Sequence, residues 1–192
     1  YGEGRDLSVE LDDDLHIITV QGQKSIDLLD PLVEANLRDL KFCHQIHTNL
    51  CGVDMMISRT GYSGERGYEL YMRDHEVVGV WEQLMGHAKP LGIIPVSFGG
   101  LEMVHIESGL MAYGAEATEE NTPWEVDMGW AVSRKKGDFR GKQAVFELEG
   151  KERVKFYGIV ADHDDVVEHN AELLIDGKVV GQDSELAALY EA

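Results

Sequence analysis

Three glycines at three-residue spacing, Gly61, Gly64 and Gly67, interrupt a stretch of the chain that otherwise has strand character. Residues 53–58 before the loop and residues 68–72 after it are rich in the β-branched, aromatic and other apolar side chains that strands favour. Glycine removes the steric limits on a tight loop. The pattern therefore predicts two strands joined by a glycine-rich loop.

A further strand and a short helix are predicted nearer the amino terminus. Residues 16–20 form a β-branched run, and Gly22 follows soon after it. Ser25 is placed to cap a short helix, and Pro31 either ends this helix or starts the next one. The chain opens between structural elements and has no start methionine, so we expect it to be part of a longer protein.

Two longer helices are predicted after the glycine loop. Residues 74–85 carry apolar side chains at intervals of three and four, with Asp74 as the N-cap. Residues 97–108 have Ser97 as the N-cap and Gly109 just past their end. Strands and helices in this order predict an α+β fold built on a ferredoxin-like α/β sandwich.

The last third of the sequence has β character again. Strand patterns occur at residues 130–132 and 154–160, and the Asp176-Gly177 pair predicts a hairpin turn. Residues 150–153 make the best linker candidate. We therefore expect two domains, residues 1–149 and residues 150–192, of which the second is part of a small all-β, barrel-like domain.

The charge balance excludes two classes of partner. The chain has 36 acidic against 17 basic side chains, which gives a formal net charge of −19. This charge repels nucleic acid and anionic lipid surfaces, so neither is an expected partner. No apolar stretch approaches the ~20 residues that span a bilayer. We expect a cytoplasmic protein.

Cys43, His47 and Cys51 would lie on one face if this segment were helical. Their side chains are soft and borderline ligands, so such a face could bind a metal ion. The apolar, β-branched run that follows Gly52 instead favours a loop entering a strand. We therefore expect no metal site and two reduced thiols.

Tyr62, Glu69 and Tyr71 are the most telling polar and aromatic side chains. Glu69 and Tyr71 alternate onto one face of the predicted strand. A carboxylate among aromatic rings suits a flat heterocycle with N–H donors, because rings stack while the carboxylate accepts two hydrogen bonds. On composition alone, a solvated glutamate on a half-exposed strand is the more common arrangement.

Two weaker candidates have ordinary explanations. The glycine loop could hold a phosphate through its backbone N–H groups, but it lacks the Lys-Ser/Thr of a P-loop and a following helix. Glu102 and His105 lie one helical turn apart and could form a proton-transfer pair, although a surface ion pair is commoner. No nucleophile constellation stands out.

Residues 57–70 closely resemble the Arg-Thr-Gly-Tyr-Thr-Gly-Glu-x-Gly-x-Glu motif of the glycine-cleavage T-protein superfamily. Further similarities follow the same order along residues 16 to about 145. Val20-Gln21-Gly22 is similar to a Leu-Gln-Gly-Pro element. The remaining similar segments are residues 106–110, 113–114, 122–125, 129–132 and 136–142.

The resemblance implies a T-protein-like folate-binding fold with three lobes around tetrahydrofolate. Glu69 matches the glutamate that holds the pterin ring, and Tyr62 and Tyr71 match aromatic contacts of folate-dependent demethylases. Tyr113 belongs to the matching Tyr-Gly pair and completes the expected cofactor-binding set. The family passes a one-carbon unit from an amine, sulfonium or methoxy donor to tetrahydrofolate.

Two departures bear on the activity. The catalytic aspartate of the family lies upstream of the element that Gln21 matches, so this chain is expected to lack it and the catalytic residues stay unknown. Leu101-Glu102 stands where aminomethyltransferases have Arg-Asp, and His105 replaces a second arginine. The loss of these cations favours a demethylase relative over glycine cleavage itself.

Two functions remain in competition at this point. The first is a tetrahydrofolate-dependent one-carbon transferase, an aminomethyltransferase or a methyl-donor demethylase, whose activity needs the complete protein. The second is a non-catalytic folate-binding accessory protein of the same fold. The expected partners are folate and a small methyl or aminomethyl donor, with a carrier protein in addition if the protein belongs to a glycine cleavage system.

Overall fold

The computed structural model describes residues 4, 6–160, 162 and 171–182. The chain divides into two compact units, Tyr1–Val96 and Ser97–Ala192. The expected α+β architecture is confirmed, and an antiparallel sheet forms part of the first unit. The predicted domain boundary after residue 149 stays a prediction.

The first unit is built on a four-stranded sheet with the order β1-β4-β3-β2. Its strands are β1 (Leu15–Gln21), β2 (Gln45–Leu50), β3 (Val53–Ser58) and β4 (Gly67–Arg73), and every neighbouring pair is antiparallel. β4 therefore lies between β1 and β3, with the glycine loop joining it to β3. Three of these strands were predicted from the sequence, and β2 was not.

One face of this sheet forms the hydrophobic core. Alternate strand residues point into it, as the period of two requires. Helices α1 (Ser25–Leu29) and α2 (Asp74–Ala88) cover this face with their own apolar side chains. The core side chains from strands and helices include Ile18, Val20, Leu28, Leu29, Ile57, Leu70, Met72, Val80 and Leu84.

The helix caps of this unit differ from those expected. Lys24, not Ser25, precedes α1, and the buried Ser25 hydroxyl donates instead to the backbone oxygen of Arg66 at 3.2 Å. Asp74 is the first residue of α2 rather than its cap, because the backbone N–H of Arg73 donates to the Glu76 carboxylate at 3.3 Å. This contact satisfies one backbone donor at the start of the helix, as the glutamate of a capping box does.

Strand β2 replaces the loop that was expected before β3. It pairs with β3 along its whole length, and Cys51 and Gly52 form the connecting turn with φ of 55° and 85°. Positive φ at both turn residues matches the twist of a hairpin. The helical arrangement that would bring Cys43 and His47 to one face is therefore wrong, since His47 lies on a strand.

The second unit begins with α3 (Phe98–Glu107), and its predicted caps are confirmed. The Ser97 hydroxyl accepts a hydrogen bond from the backbone N–H of Gly100 at 3.2 Å, and Gly109 has a φ of 65°. Helix α4 (Lys142–Glu147) and the hairpin strands β5 (Glu172–Ile175) and β6 (Lys178–Gln182) follow. Among the residues described, this unit has no closed barrel, and its strands form one two-stranded sheet.

The hairpin turn is confirmed, and two predicted strands are wrong. Asp176 and Gly177 have φ of 51° and 73°, the conformation that a two-residue hairpin needs. Residues 129–131 form a 3₁₀ turn, and residues 154–160 form no strand. A β-branched run becomes a strand only when another strand pairs with it. Here the backbone N–H of Phe156 instead donates to the backbone oxygen of Glu125, at 3.0 Å.

A buried carboxylate ties two loops of the second unit together. Glu125 is 2% exposed, and its Oε1 accepts from the backbone N–H and Nε of Arg153 at 3.0 and 2.9 Å. Its Oε2 accepts from the backbone N–H of Thr122 at 2.8 Å. The Arg153 side chain and these backbone donors hold the pKa of Glu125 well below its usual range. These contacts anchor Arg153 to the loop that contains Glu125.

We predict that Glu125→Gln lowers the thermal unfolding midpoint of the complete protein by several degrees. The amide keeps the shape but loses the charge and places two donors where donors already point. Because the folded pKa is depressed, this stabilisation is present above the ordinary carboxyl pKa and is lost as the pH falls below it. Unfolding midpoints measured from neutral to acidic pH should therefore converge for parent and variant. The exposed neighbour Glu119, changed to Gln, is the control, and an equal effect of both changes would contradict this role.

Candidate functional site

The face of the sheet that points away from α1 and α2 carries a row of polar side chains. The register places Thr19 of β1 and Ser58 of β3 on either side of Glu69 in β4. The neighbouring row consists of Ile17, Tyr71 and Met56. Glu69 and Tyr71 therefore share one face, as predicted from their alternation.

The Glu69 carboxylate is held by two hydroxyl groups. The Thr60 hydroxyl donates to Oε2 in a short hydrogen bond, and the Tyr71 hydroxyl donates to the same oxygen at 3.2 Å. The Ser58 and Thr60 hydroxyl oxygens lie 2.9 Å apart. Since the single Thr60 proton goes to Glu69, Ser58 is the donor in that pair. These contacts orient the carboxylate and leave Oε1 with its acceptor capacity.

Tyr71 has a perturbed acidity that reflects this arrangement. Partial burial raises the pKa of its phenol, and the negative charge of Glu69 and the hydrogen bond to it raise the pKa further. The neutral phenol is therefore the form that persists at physiological pH, where it acts as a hydrogen-bond donor to the carboxylate.

Gln21, at the end of β1, fastens the glycine loop to the sheet. Its Oε1 accepts from the Ser63 hydroxyl at 2.8 Å, and its Nε2 donates to Thr19 Oγ1 at 2.7 Å and to the backbone oxygen of Thr60 at 3.4 Å. A Cβ atom built on Gly61 or on Gly67 would lie 2.0 Å from Gln21 Oε1. The space that a phosphate cradle would need between these glycines is thus filled by an amide.

The other two predicted cofactor-binding residues lie outside this polar row. Tyr62 lies in the glycine loop and is 38% exposed. Tyr113 lies in the second unit, where it is exposed and forms an isolated bridge with Ala117. The structure therefore brings Glu69 and Tyr71 into contact, whereas the roles of Tyr62 and Tyr113 remain predictions.

His105 does not lie on the surface. It is 3% exposed in α3, and Glu102, one turn earlier, is half-buried. A surface ion pair, the commoner outcome for such spacing, is therefore wrong for this histidine.

Thr60, Ser58, Thr19 and Gln21 were not predicted as site residues. Their proximity to Glu69 depends on which strands are neighbours and in which register, and neither is readable from the local pattern. The signal that could have pointed to Gln21 is the pair Gly61 and Gly67. Neither has a positive φ, so their lack of a side chain serves close approach rather than backbone conformation.

Comparison with known proteins identifies the family from which this arrangement comes. The family model of the GCVT N-terminal domain matches residues 7–136. The chain belongs to this family. The resemblance to the glycine-cleavage T-protein superfamily is therefore confirmed, and the matched region contains the whole polar row and the glycine loop.

Curated relatives carry two kinds of name. The heme-dependent oxidative N-demethylase gamma subunit of Ectopseudomonas mendocina is 35% identical over 188 residues, which cover 93% of this chain and 50% of that protein. The aminomethyltransferase of Chloroherpeton thalassium is 37% identical over 135 residues, 70% of this chain and 37% of that protein. The aminomethyltransferase of Halothermothrix orenii is 34% identical over 171 residues, 88% and 48% of the two chains. The chain spans half the length or less of these relatives.

Among solved structures, the chain is similar to the glycine cleavage system aminomethyltransferase T from Bartonella henselae. The identity is 16%, the TM-score is 0.47, and the match covers 72% of this chain and 62% of that chain. In the part of the chain that the structure describes, no helix is long and apolar enough to cross a membrane.

We predict that Glu69→Gln lowers the pKa of the Tyr71 phenol toward its ordinary value. The variant removes the negative charge but leaves the burial, so the pKa stays above that of an exposed tyrosine. The measurement is a pH titration of the ultraviolet absorbance of tyrosinate. Subtracting the curve of the corresponding Tyr71→Phe protein from that of each protein leaves the titration of Tyr71. The same measurement on Glu82→Gln, which removes an exposed charge on α2, is the control. An unchanged Tyr71 titration in Glu69→Gln would show that the carboxylate does not contact the phenol.

Proposed function

We propose that the complete protein passes a one-carbon unit to tetrahydrofolate and that Glu69 accepts hydrogen bonds from the pterin ring. The observation that carries this proposal is the Glu69 carboxylate. It lies on the sheet face that the helices of its unit leave open, and hydroxyl groups hold it through Oε2. Family membership and the aminomethyltransferase relatives support a one-carbon transferase in general.

The chemistry of the site fits a reduced pterin. The ring presents neighbouring N–H donors along one edge, and a carboxylate is the side chain that accepts two such donors in parallel. The Tyr71 phenol uses its proton on Glu69 and presents an aromatic ring on the same face of the sheet. We propose that Tyr71 and Tyr62 contact the flat ring system. Tyr113 stays a predicted cofactor-binding residue.

These residues bind and orient rather than transfer protons. Tetrahydrofolate supplies the nitrogen that accepts the one-carbon unit, and fixing its ring lowers the entropy that must be lost when donor and acceptor meet. A carboxylate that hydroxyl groups already orient loses little further freedom on binding. The group that assists the transfer itself is proposed to lie in the part of the protein that this chain does not contain.

A second candidate concerns the donor. The N-demethylase gamma subunit matches 93% of this chain, and His105 replaces an arginine typical of aminomethyltransferases. We therefore propose, as the alternative to an aminomethyltransferase, that the protein is the tetrahydrofolate-dependent component of a demethylase. Its donor would then be a carbon released from a methylated amine. Transfer from an aminomethyl group on a carrier protein would favour the first candidate.

We predict that Glu69→Gln in the complete protein weakens tetrahydrofolate binding by roughly tenfold to a hundredfold. The expected loss is that of a charge-assisted hydrogen-bond pair, and the new amide N–H₂ would oppose the donors of the ring. Calorimetric titration of tetrahydrofolate into both proteins measures it, with Glu82→Gln as the control for charge.

The same titration distinguishes the proposal from a purely structural motif. A Glu69→Gln protein that binds tetrahydrofolate as tightly as the parent would refute the role of Glu69. A parent protein that binds no tetrahydrofolate would contradict both the transferase and the folate-binding accessory protein.

A further inference from the structure

We propose that Gln21 is a positioning residue that sets the Glu69 carboxylate by locking the glycine loop to the end of β1. The inference rests on the proposed binding of tetrahydrofolate at Glu69. It concerns a different side chain, which acts on that carboxylate through Thr60 and Thr19.

The Gln21 amide connects three separate pieces of the chain. It accepts from Ser63 within the loop at 2.8 Å, donates to Thr19 on its own strand at 2.7 Å, and reaches the backbone oxygen of Thr60 at 3.4 Å. Ser63 is buried and Gln21 is half-buried, so water competes little for the hydrogen bond between them, whereas the hydrogen bond from Gln21 to Thr19 is exposed. Both functional atoms of the amide are thus engaged.

Two short routes lead from this amide to Glu69. The backbone oxygen of Thr60 accepts a hydrogen bond from Gln21 Nε2, and the Thr60 hydroxyl donates one to Glu69 Oε2. The hydroxyl oxygen of Thr19 accepts a hydrogen bond from Gln21 Nε2, and Thr19 lies directly opposite Glu69 in the β1–β4 register. The Gln21 amide therefore holds two neighbours of the Glu69 carboxylate in place: Thr60 in the loop and Thr19 on the adjacent strand.

The glycines at both ends of the loop make room for this amide. A methyl group at Gly61 or Gly67 would lie 2.0 Å from Gln21 Oε1, far inside van der Waals contact. The atom that would have to move is the end of a flexible side chain. Alanine at Gly67, which faces Gln21 in the β1–β4 register, should therefore displace the amide while the strand pairing survives.

The first test is Gln21→Met in the complete protein, because methionine keeps the length and volume but has no amide. We expect tetrahydrofolate binding to weaken roughly tenfold, as the loss of two part-buried hydrogen bonds and one exposed hydrogen bond implies. We also expect the pKa of the Tyr71 phenol to fall, since a released Glu69 carboxylate no longer stays beside it. The phenol titration needs no ligand, and a residue that merely stabilised the fold would not move it. Gln83→Met, on the exposed side of α2, is the matched control.

The second test is Gly67→Ala, which displaces the amide without removing any hydrogen-bonding group. It should reproduce both effects, and combining it with Gln21→Ala should add little, because the shortened side chain leaves room for the methyl group. Gly79→Ala is the control, since a Cβ atom there meets nothing within 4 Å.

The proposal is wrong if both Gln21→Met and Gly67→Ala bind tetrahydrofolate as tightly as the parent and have the same Tyr71 pKa as the parent. If the parent protein binds no tetrahydrofolate, the proposed function fails, whereas the Tyr71 titration still decides whether Gln21 positions Glu69. If neither variant folds, Thr19→Val decides by the same readouts. It removes one partner of the amide at an exposed strand position that suits valine.

Discussion

The pairing of β4 with β1 on one side and with β3 on the other is the constraint on which the candidate site depends. Leu70 and Met72 of β4 are buried among the core side chains, and this burial fixes the register. A slip of one residue would turn these side chains away from the core, at a cost of about 2 kcal/mol for each. The opposite face inherits the same register, so the apolar core determines where Glu69 stands.

Because one face of the sheet supplies the apolar core, the other face can carry polar side chains without loss of the fold. Thr19, Glu69 and Ser58 are poor contributors to a core: Thr19 is exposed and Glu69 is half-buried, and the buried Ser58 hydroxyl is hydrogen-bonded to Thr60. Their neighbours along each strand supply the apolar contacts. Hydroxyl groups of Thr and Ser add hydrogen bonds at little entropic cost because their side chains are short. A rigid strand therefore presents the carboxylate, as a precise binding site requires.

Local pattern was sufficient for most of the first unit and for α3. The alternation in residues 68–72 and the Ser97 and Gly109 caps need only sequence neighbours, and both predictions are confirmed. The β2 strand was missed although Ile46 and Leu50 alternate inward, because its polar residues read as a loop. Residues 154–160 failed for the opposite reason, since β propensity without a pairing partner makes no strand.

The candidate site was predictable only as far as one strand extends. Glu69 and Tyr71 were found because side chains two residues apart share a face. Gln21 and Thr60 were not, because they lie 48 and 9 residues from Glu69 in the sequence and come near it only through the order of the strands. A motif match can mark such residues, but the physical reason for their identity appears only with the register.

Glu125 and Glu69 differ in the groups that donate hydrogen bonds to them, and this difference distinguishes a structural carboxylate from one suited to bind a ligand. Glu125 is neutralised by the Arg153 guanidinium and by backbone donors, so its acceptor capacity serves the protein itself. Glu69 is held by the neutral hydroxyls of Thr60 and Tyr71, which orient the carboxylate but leave its negative charge uncompensated. An arginine in their place would form an ion pair with which a ligand would have to compete. Neutral donors therefore suit a carboxylate that must still attract the N–H groups of a ligand.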